Sequence, residues 1–553
     1  MAQFLNMAKT LILGNNPNKG WIKSLGISTQ EVPNISTGRN TDIVDFIKTL
    51  PTDLECVVID SDSFNSENPE LPLDIVLYMR LMLHDCKKTS LSKIVIVSDL
   101  SIDSLMDYGV KSVILMTKGV LLTDGENVGY AVENASALTP SEYVDGFLNL
   151  IKVVPQEKVE GYHSIANEWG AEALFNVISG GVKSSIIPIK AESSLYFKYC
   201  SIVSLNADDV ASIIEGRTSE FLTKNICIKD SINYLLIDDE TDKGWDKVLM
   251  SLLPNAKQEV WKQPIQTYHE LSEDIRHKIS KGEYHIIFLD LRMSGIAEDN
   301  VVNPEYFSGM KILRSIKEIN RGIQVVMLTA TNKAWNVKAL LDAGANGYYM
   351  KESPEYHFPL KYTEQNALAF VDTIQDCINN SYLQDIVFKA SRLQDELPTD
   401  SELTYDIINQ LSIALSLILK AKTPDEYAFA YISLEQIFEI SATYLIRPKL
   451  SQGHTIYFFT EDTREQCRLY EAGKAIGFIY TKGNQTVPVW KRVSSIYYQL
   501  YDGGDSTFDT KVKELINLRN EYIHPNDGIK PTFKADNFIE LFDVIFEYLS
   551  VFK

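Results

Sequence analysis

The sequence predicts an α/β protein with two doubly wound parallel sheets, followed by an all-α C-terminal domain. Three observations carry this. Short apolar runs alternate with amphipathic stretches twice, over 1–152 and again over 231 to about 380. Both stretches begin with an apolar triplet followed, at the same offset, by Lys-Gly-Trp. From 403 to 553, apolar residues recur every three to four positions instead.

The first repeat (1–152) opens with the strand TLILGNN, and ECVVIDSD, DIVLYMRLML, KIVIVSDL, IDSLMDYG and KSVILMTKG follow as strand, helix, strand, helix and strand. In the connecting segment, 153–230, GYHSIANEWGAEALFNVI reads as a helix and SSIIPI and SLYFKYCSIV as strands. The second repeat lies in a domain over 231–390. It runs YLLIDDE (strand), KGWDKVLMSLL (helix), HIIFLDLRM (strand), MKILRSIKEI (helix), QVVMLTAT (strand), WNVKALLDAG (helix) and NGYYMKES (strand), with a further helix over about 363–380. Such alternation predicts parallel strands with helical crossovers on both faces, and ligands at the strands' carboxyl ends. SRLQDELPTDSE (391–402) is polar, contains a proline and reads as a linker. The last domain, 403–553, divides into six helical stretches: YDIINQLSIALSLIL, DEYAFAYISLEQIFEISATYLI, TREQCRLYEAGKAIGFI, VWKRVSSIYYQLY, TKVKELINLRNEYI and NFIELFDVIFEYLSVF.

With 553 residues, 45% hydrophobic and 23% charged, the chain can fill several cores. It has no run of 18 apolar residues, and MAQFLNMAKT lacks the layout of an export signal, so the expectation is a cytoplasmic protein with no membrane partner. The six cysteines form no CxxC pair, which fits reduced thiols better than a zinc site or a disulfide framework. A net charge of -21 argues against a general nucleic-acid coat protein. The excess is uneven: residues 401–553 hold 16 basic and 20 acidic side chains, against 37 and 54 in residues 1–400. The C-terminal third is the part least hostile to a polyanion.

Leu235, Leu236 and Ile237 lead straight into Asp238, Asp239 and Glu240, whose mutual repulsion calls for a cation among them. Asp290 ends HIIFLD. In a doubly wound sheet these strand ends are neighbours, so Asp238, Asp239 and Asp290 converge, and a hard divalent cation such as Mg2+ relieves the repulsion. Thr329, at the end of its strand, offers a hydroxyl to a phosphoryl oxygen, and Lys351 a point positive charge.

The motifs LLIDDE, FLDLRM, MLTAT and GYYMKES, in this order and spacing, make residues 231–380 resemble a response-regulator receiver domain of two-component signalling. The resemblance implies a flavodoxin-like fold with Asp290 as phosphoacceptor. Asp238 and Asp239 are then the metal-binding acids beside Asp290, the carbonyl of Arg292 a backbone metal ligand, Thr329 the switch hydroxyl, Lys351 the phosphate-sensing lysine and Tyr348 the switch aromatic. It further implies Mg2+ as cofactor and a histidine kinase or phosphotransfer protein as partner. The Asp290 carboxylate would attack a phosphohistidine or small phosphodonor. The sequence departs from the family twice: Glu352 follows Lys351 where proline is common, and the Ser294 to Ser308 loop is long.

In the first repeat Gly14, Asn15 and Asn16 stand in place of the acids. Asp60 falls opposite Asp290, Ser98 opposite Thr329 and Gly109 opposite Gly344, but Met116 falls opposite Lys351, with Lys118 two places late. Asp60 and Asp62 alone give little to hold a metal. This copy reads as a degenerate receiver used for packing or partner recognition.

RNEYIH, residues 519–524, places Arg519 and His524 near a helix end, where Arg519 can clamp a phosphate, His524 can move protons and Asn520 can orient either. The string resembles the R-N-xxx-H motif of HEPN-family domains, all-helical modules of which many are metal-independent ribonucleases acting as dimers. That resemblance implies Arg519, Asn520 and His524 as catalytic residues, RNA as substrate and a homodimer through the C-terminal domain, with Glu435 or Glu439 as an accompanying acid. The bland alternative is a surface arginine and a helix-terminal histidine favoured by the helix dipole. His163, on a helix with Asn167, Glu168 and Trp169, is similar to the phosphorylated histidine of a kinase, but no Gly-rich nucleotide segment follows and a packed interdomain residue is the plainer reading.

The whole sequence thus reads as a phosphorylation-controlled signalling effector whose receiver gates a HEPN-like ribonuclease, suited to stress or antiviral defence. The alternative is a non-enzymatic phosphorelay component whose helical domain only dimerises or binds a partner.

Overall fold

Runs such as CVVID, KIVIV, IIFLD and QVVMLT have no polar face to turn toward water, and each forms a strand buried over all or nearly all of its length. In a computed structural model of the chain they lie in two parallel five-stranded sheets. The structure describes residues 9–27, 29–30, 40–63, 70–154, 162–179, 194–216, 226–262, 271–293, 298, 301, 303–330, 334–353, 358, 360–398, 401–451, 453–459, 466–471, 473–482, 486–501, 504–525 and 530–552. The chain divides into two compact units, one made of Met1–Leu271, Ile286–Arg314 and Val325–Cys377 and the other of Ser272–His285, Ser315–Gln324 and Ile378–Lys553.

The first sheet is ordered β2-β1-β3-β4-β5, with β1 Thr10–Leu13, β2 Thr29–Gln30, β3 Cys56–Asp60, β4 Lys93–Val97 and β5 Val120–Thr123. The second is ordered β10-β9-β8-β6-β7, with β6 Asn233–Ile237, β7 Lys257–Trp261, β8 Ile286–Asp290, β9 Gln324–Thr329 and β10 Gly347–Met350. Read from opposite edges these are one flavodoxin-like topology, and strand order reverses between β1 and β3 and between β6 and β8. A crevice opens at that reversal, outside the carboxyl ends of the strands.

Register then decides which side chains share the crevice. Ile237 pairs with Leu289, so Asp238 and Asp290, one step later on each strand, leave the sheet side by side. Thr329 pairs with Met350, and Lys351 follows, its backbone N–H donating to the Thr329 carbonyl at 2.7 Å. In the first sheet Leu13 pairs with Ile59, which sets Gly14 beside Asp60 as expected. The fifth strand differs. KSVILM forms a 3-10 helix, Gly109–Met116, and the strand is the later run Val120–Thr123, beyond Gly119 at φ +79°. Two short apolar runs compete there, and only the second pairs with β4. Val97 pairs with Thr123, so Ser98 falls opposite Asp124 and Gly125, not Met116, holds the place of Lys351.

In the connecting segment the helix expected over GYHSIANEWGAEALFNVI is present as Tyr162–Ile178. SLYFKYCSIV is not a strand but a helix, Leu195–Ile202: Leu195, Tyr199 and Ile202 fall at helical spacing and face the core of the first sheet domain. SSIIPI lies outside the described residues.

The C-terminal region is not all-α. Its helices Glu402–Ile418, Pro424–Leu445, Val489–Leu500, Phe508–Ile523 and Ala535–Leu549 enclose one core around Tyr431, Phe438, Tyr497, Phe508 and Tyr548. Between them lie β11 Ile446–Ser451, β12 His454–Phe459, β13 Arg468–Glu471, β14 Lys474–Phe478 and β15 Tyr480–Lys482, in an antiparallel β11-β12-β15 sheet and a β13-β14 hairpin. TREQCRLYEAGKAIGFI, expected as a helix, instead forms β13 and β14, because Gly473 sits at φ +73° and turns the chain back on itself between them. The polar stretch from 391 is helical at first, since the Leu383–Glu396 helix runs into it.

Candidate functional site

The sheet edge brings together the acids expected from sequence. Carboxylate oxygens of Asp238, Asp239 and Asp290 lie within 4.8 Å of one another, a set of hard donors whose chemistry fits Mg2+. Asp238 and Asp290 are fully buried. Each is also held by the backbone: Asp238 Oδ1 accepts from the Glu240 N–H at 2.7 Å and Asp290 Oδ1 from the Leu291 N–H at 2.9 Å. Close beneath Asp290, an added Cβ on Gly309 would stand 2.2 Å from the Asp290 carbonyl oxygen, so the Ser308–Ile319 helix can start there only with glycine.

Lys351 enters the same pocket. Its Nζ lies 3.2 Å from Asp238 Oδ2 and 3.1 Å from Asp290 Oδ1, with all three side chains essentially sealed from water. Burial works against the ammonium, but the charges of Asp238 and Asp290 outweigh it and hold Lys351 above the usual lysine range. The ring of Trp245 completes the pocket, with Nζ 5.1 Å from its centre. Thr329 is buried at the end of β9, and Tyr348 is 42% exposed on β10. Arg292, two residues past Asp290, rests its guanidinium 4.9 Å from the Phe307 ring centre. Glu352, standing where proline is common, is buried and accepts from Thr363 Oγ1 at 2.8 Å; burial raises its pKa against the lowering effect of Thr363 and Asn366. Of the long loop, Glu298 is buried and accepts from the Ser308 N–H at 2.7 Å.

Sequence reasoning missed three residues here. Asn167 accepts a hydrogen bond from Lys351 and donates to Glu240 Oε2 at 2.5 Å, and the Trp245 indole N–H donates to the Asn167 carbonyl at 3.1 Å. Glu240 was visible as the third acid of its run and Asn167 only as a neighbour of His163, and nothing in the sequence set either one beside Lys351. Trp245 was visible only as part of the shared Lys-Gly-Trp. The side chain of His163, on the same helix as Asn167, lies outside the described residues.

In the first sheet Lys19 fills the corresponding pocket, 2.7 Å from Asp60 Oδ1 and 3.3 Å from Asp62 Oδ2. Gly125, in the place of Lys351, lies against Trp21, the counterpart of Trp245.

In the C-terminal unit Arg519 is bonded to Asn520 Oδ1 at 3.0 Å and lies 3.7 Å from Glu435 and 3.8 Å from Glu439. Both acids left open by the sequence therefore flank it, and Glu435 is the buried one. Burial pushes the Glu435 carboxyl up to about 7, with Arg519 pulling it down and Glu439 pushing it up. His524 caps the Phe508–Ile523 helix and is exposed.

The second parallel sheet carries buried acids and a lysine at its carboxyl edge, and residues 246–358 match the family model of the response regulator receiver domain. The second sheet domain is a receiver domain of a response regulator. It is similar to the Nitrate/nitrite response regulator protein NarP of Escherichia coli (strain K12), 28% identical over 134 residues that cover 24% of this chain and 54% of NarP. The chain thus spans about half the length of that curated relative. Among solved structures, a CheY-like response regulator receiver domain protein from Methanospirillum hungatei JF-1 aligns at 16% identity with a TM-score of 0.18, covering 27% of this chain and 99% of that one. NtrX from Brucella abortus aligns at 16% identity with a TM-score of 0.20, covering 34% of each chain. Among the described residues no helix is long and apolar enough to cross a membrane.

Proposed function

We propose that this protein is a phosphorylation-controlled signalling effector whose receiver takes a phosphoryl group on Asp290. The observation that carries this is the buried bridge from Lys351 to both Asp238 and Asp290, with Asp239 within reach of the same point. A carboxylate oxygen of Asp290 attacks the phosphorus of a phosphohistidine or small phosphodonor, the bond to the donor breaks, and the donor leaves with the electron pair. Asp238, Asp239, Asp290 and the Arg292 carbonyl would hold Mg2+, which when bound neutralises charge on the transferring group. Lys351 takes a phosphoryl oxygen and Thr329 donates its hydroxyl to another, and Tyr348 follows the rearrangement. The donor is a histidine kinase or phosphotransfer protein. The test is uptake of phosphate from acetyl phosphate. Uptake should require Mg2+, vanish in Asp290→Asn and slow by about 100-fold in Lys351→Ala; uptake that persists in Asp290→Asn would overturn the assignment.

The output we assign to the C-terminal unit is HEPN-like ribonuclease activity by Arg519, Asn520 and His524 in a homodimer, under control of the receiver. The cluster of Arg519 with Asn520 and the buried Glu435 supports it. Switchable RNA cleavage would suit stress or antiviral defence. Purified protein should degrade RNA in a manner that depends on acetyl phosphate and is lost in His524→Ala. If His524→Ala changes nothing while Asp290 still takes phosphate, the protein is a non-enzymatic phosphorelay component.

A further inference from the structure

An ammonium group has three N–H donors, and those of Lys351 are all engaged: with Asp238 at 3.2 Å, with Asp290 at 3.1 Å and with the side-chain oxygen of Asn167. The third partner comes from outside the receiver, from the Tyr162–Ile178 helix, 184 residues away in sequence. The contact is built rather than incidental. Asn167 is fully buried, its amide is oriented by donation to Glu240, and its backbone carbonyl is fixed by Trp245. Three residues on, Gly170 approaches the receiver so closely that an added Cβ would stand 3.2 Å from the Glu352 nitrogen and 3.3 Å from the Lys351 Cα. Ala171 and Leu174, on the same helix, are fully buried.

A phosphoryl group on Asp290 replaces a singly charged carboxylate by a more highly charged group with several acceptor oxygens, which draws the donors of Lys351 toward it. The Asp290 contact passes to the phosphoryl oxygens and Asp238 keeps its charge-assisted bond, whereas Asn167 offers only a neutral amide, so Asn167 is the weakest-held partner. We propose that the Tyr162–Ile178 helix is a gate on the receiver, docked through Asn167 when Asp290 bears no phosphate and released when the phosphoryl group takes over Lys351. This rests on the reading of Asp290 as phosphoacceptor. Coupling of this kind is reciprocal: a helix displaced by phosphate must itself oppose phosphate binding. The released helix is then the first element outside the receiver to register its state.

The test uses the full chain with beryllofluoride and Mg2+ as the phosphoryl mimic. Asn167→Ala removes the competing acceptor, and Gly170→Val wedges the helix away by crowding the backbone of Lys351 and Glu352. Either should raise beryllofluoride affinity by about tenfold, and in the unaltered protein the mimic should speed hydrogen exchange over 162–178. Simple structural damage would lower affinity instead. Equal or lower affinity in both variants, with exchange over 162–178 unchanged by the mimic, overturns the gate and leaves the Asp290 assignment standing. Binding in the variants alone supports a tightly closed gate. No binding in any of the three proteins removes the Asp290 assignment and the gate with it.

Discussion

Lys19 and Lys351 neutralise the same aspartate position from opposite sides of the crevice. In the receiver the cation arrives after the fifth strand, whereas in the first sheet it arrives from the loop after the first strand, because the register leaves Gly125 where Lys351 would be. Burial disfavours the Lys19 ammonium, but Asp60 and Asp62 more than compensate and hold its pKa above the usual value. With a lysine seated at Asp60 and Gly14 in place of an acid, the first site is closed by an internal ion pair. Lys19→Met should destabilise the protein by roughly 2 kcal/mol, less than for a fully buried pair because Lys19 keeps 24% of its side-chain surface. Urea unfolding checks it, and adding Asp60→Asn to Lys19→Met should restore much of the loss. The Lys-Gly-Trp repeat was legible and aligned the two copies, but nothing in it said that one lysine turns into the site.

Between elements, the informative pair is Glu435 on the Pro424–Leu445 helix and Arg519 on the Phe508–Ile523 helix. Arg519 Nε and Glu435 Oε2 stand 3.7 Å apart, too far for a hydrogen bond, which is why burial dominates the Glu435 carboxyl. A carboxyl that ionises less readily folded than unfolded binds its proton more tightly in the folded state. Stability should therefore fall as pH rises from about 4.5 to about 7, the unfolded and folded values for Glu435. Thermal midpoints across that window should show the fall, and Glu435→Gln should flatten it. The helix pair itself was readable from three-to-four spacing. The strands between 446 and 482 were not, because a short run such as KAIGF carries no period long enough to tell strand from helix, and the deciding feature is a glycine turn.

For the whole molecule, the division into two compact units with separate cores predicts that unfolding is not a single two-state step. Urea should produce two transitions. Beryllofluoride with Mg2+, at about 100 times its dissociation constant, should stabilise the transition of the unit that holds Asp290 by about 2.7 kcal/mol and leave the other in place. Circular dichroism in parallel with tryptophan fluorescence would separate the two. A shift of both together would mean that the two units unfold as one.

The sequence by itself determined the two parallel sheets, their order along the chain and the acids at their carboxyl ends, because strand burial and residue type are local properties written into a few consecutive positions. It also named Asp238, Asp239, Asp290, Thr329 and Lys351 together, since strand ends in a doubly wound sheet meet by topology alone. Only the tertiary structure decided that Asn167 takes the third donor of Lys351, that Lys19 rather than a fifth-strand lysine answers Asp60, and that Glu435 lies against Arg519. Those pairings depend on how separate elements dock, and docking is fixed by packing across the fold, which no window of neighbouring residues contains.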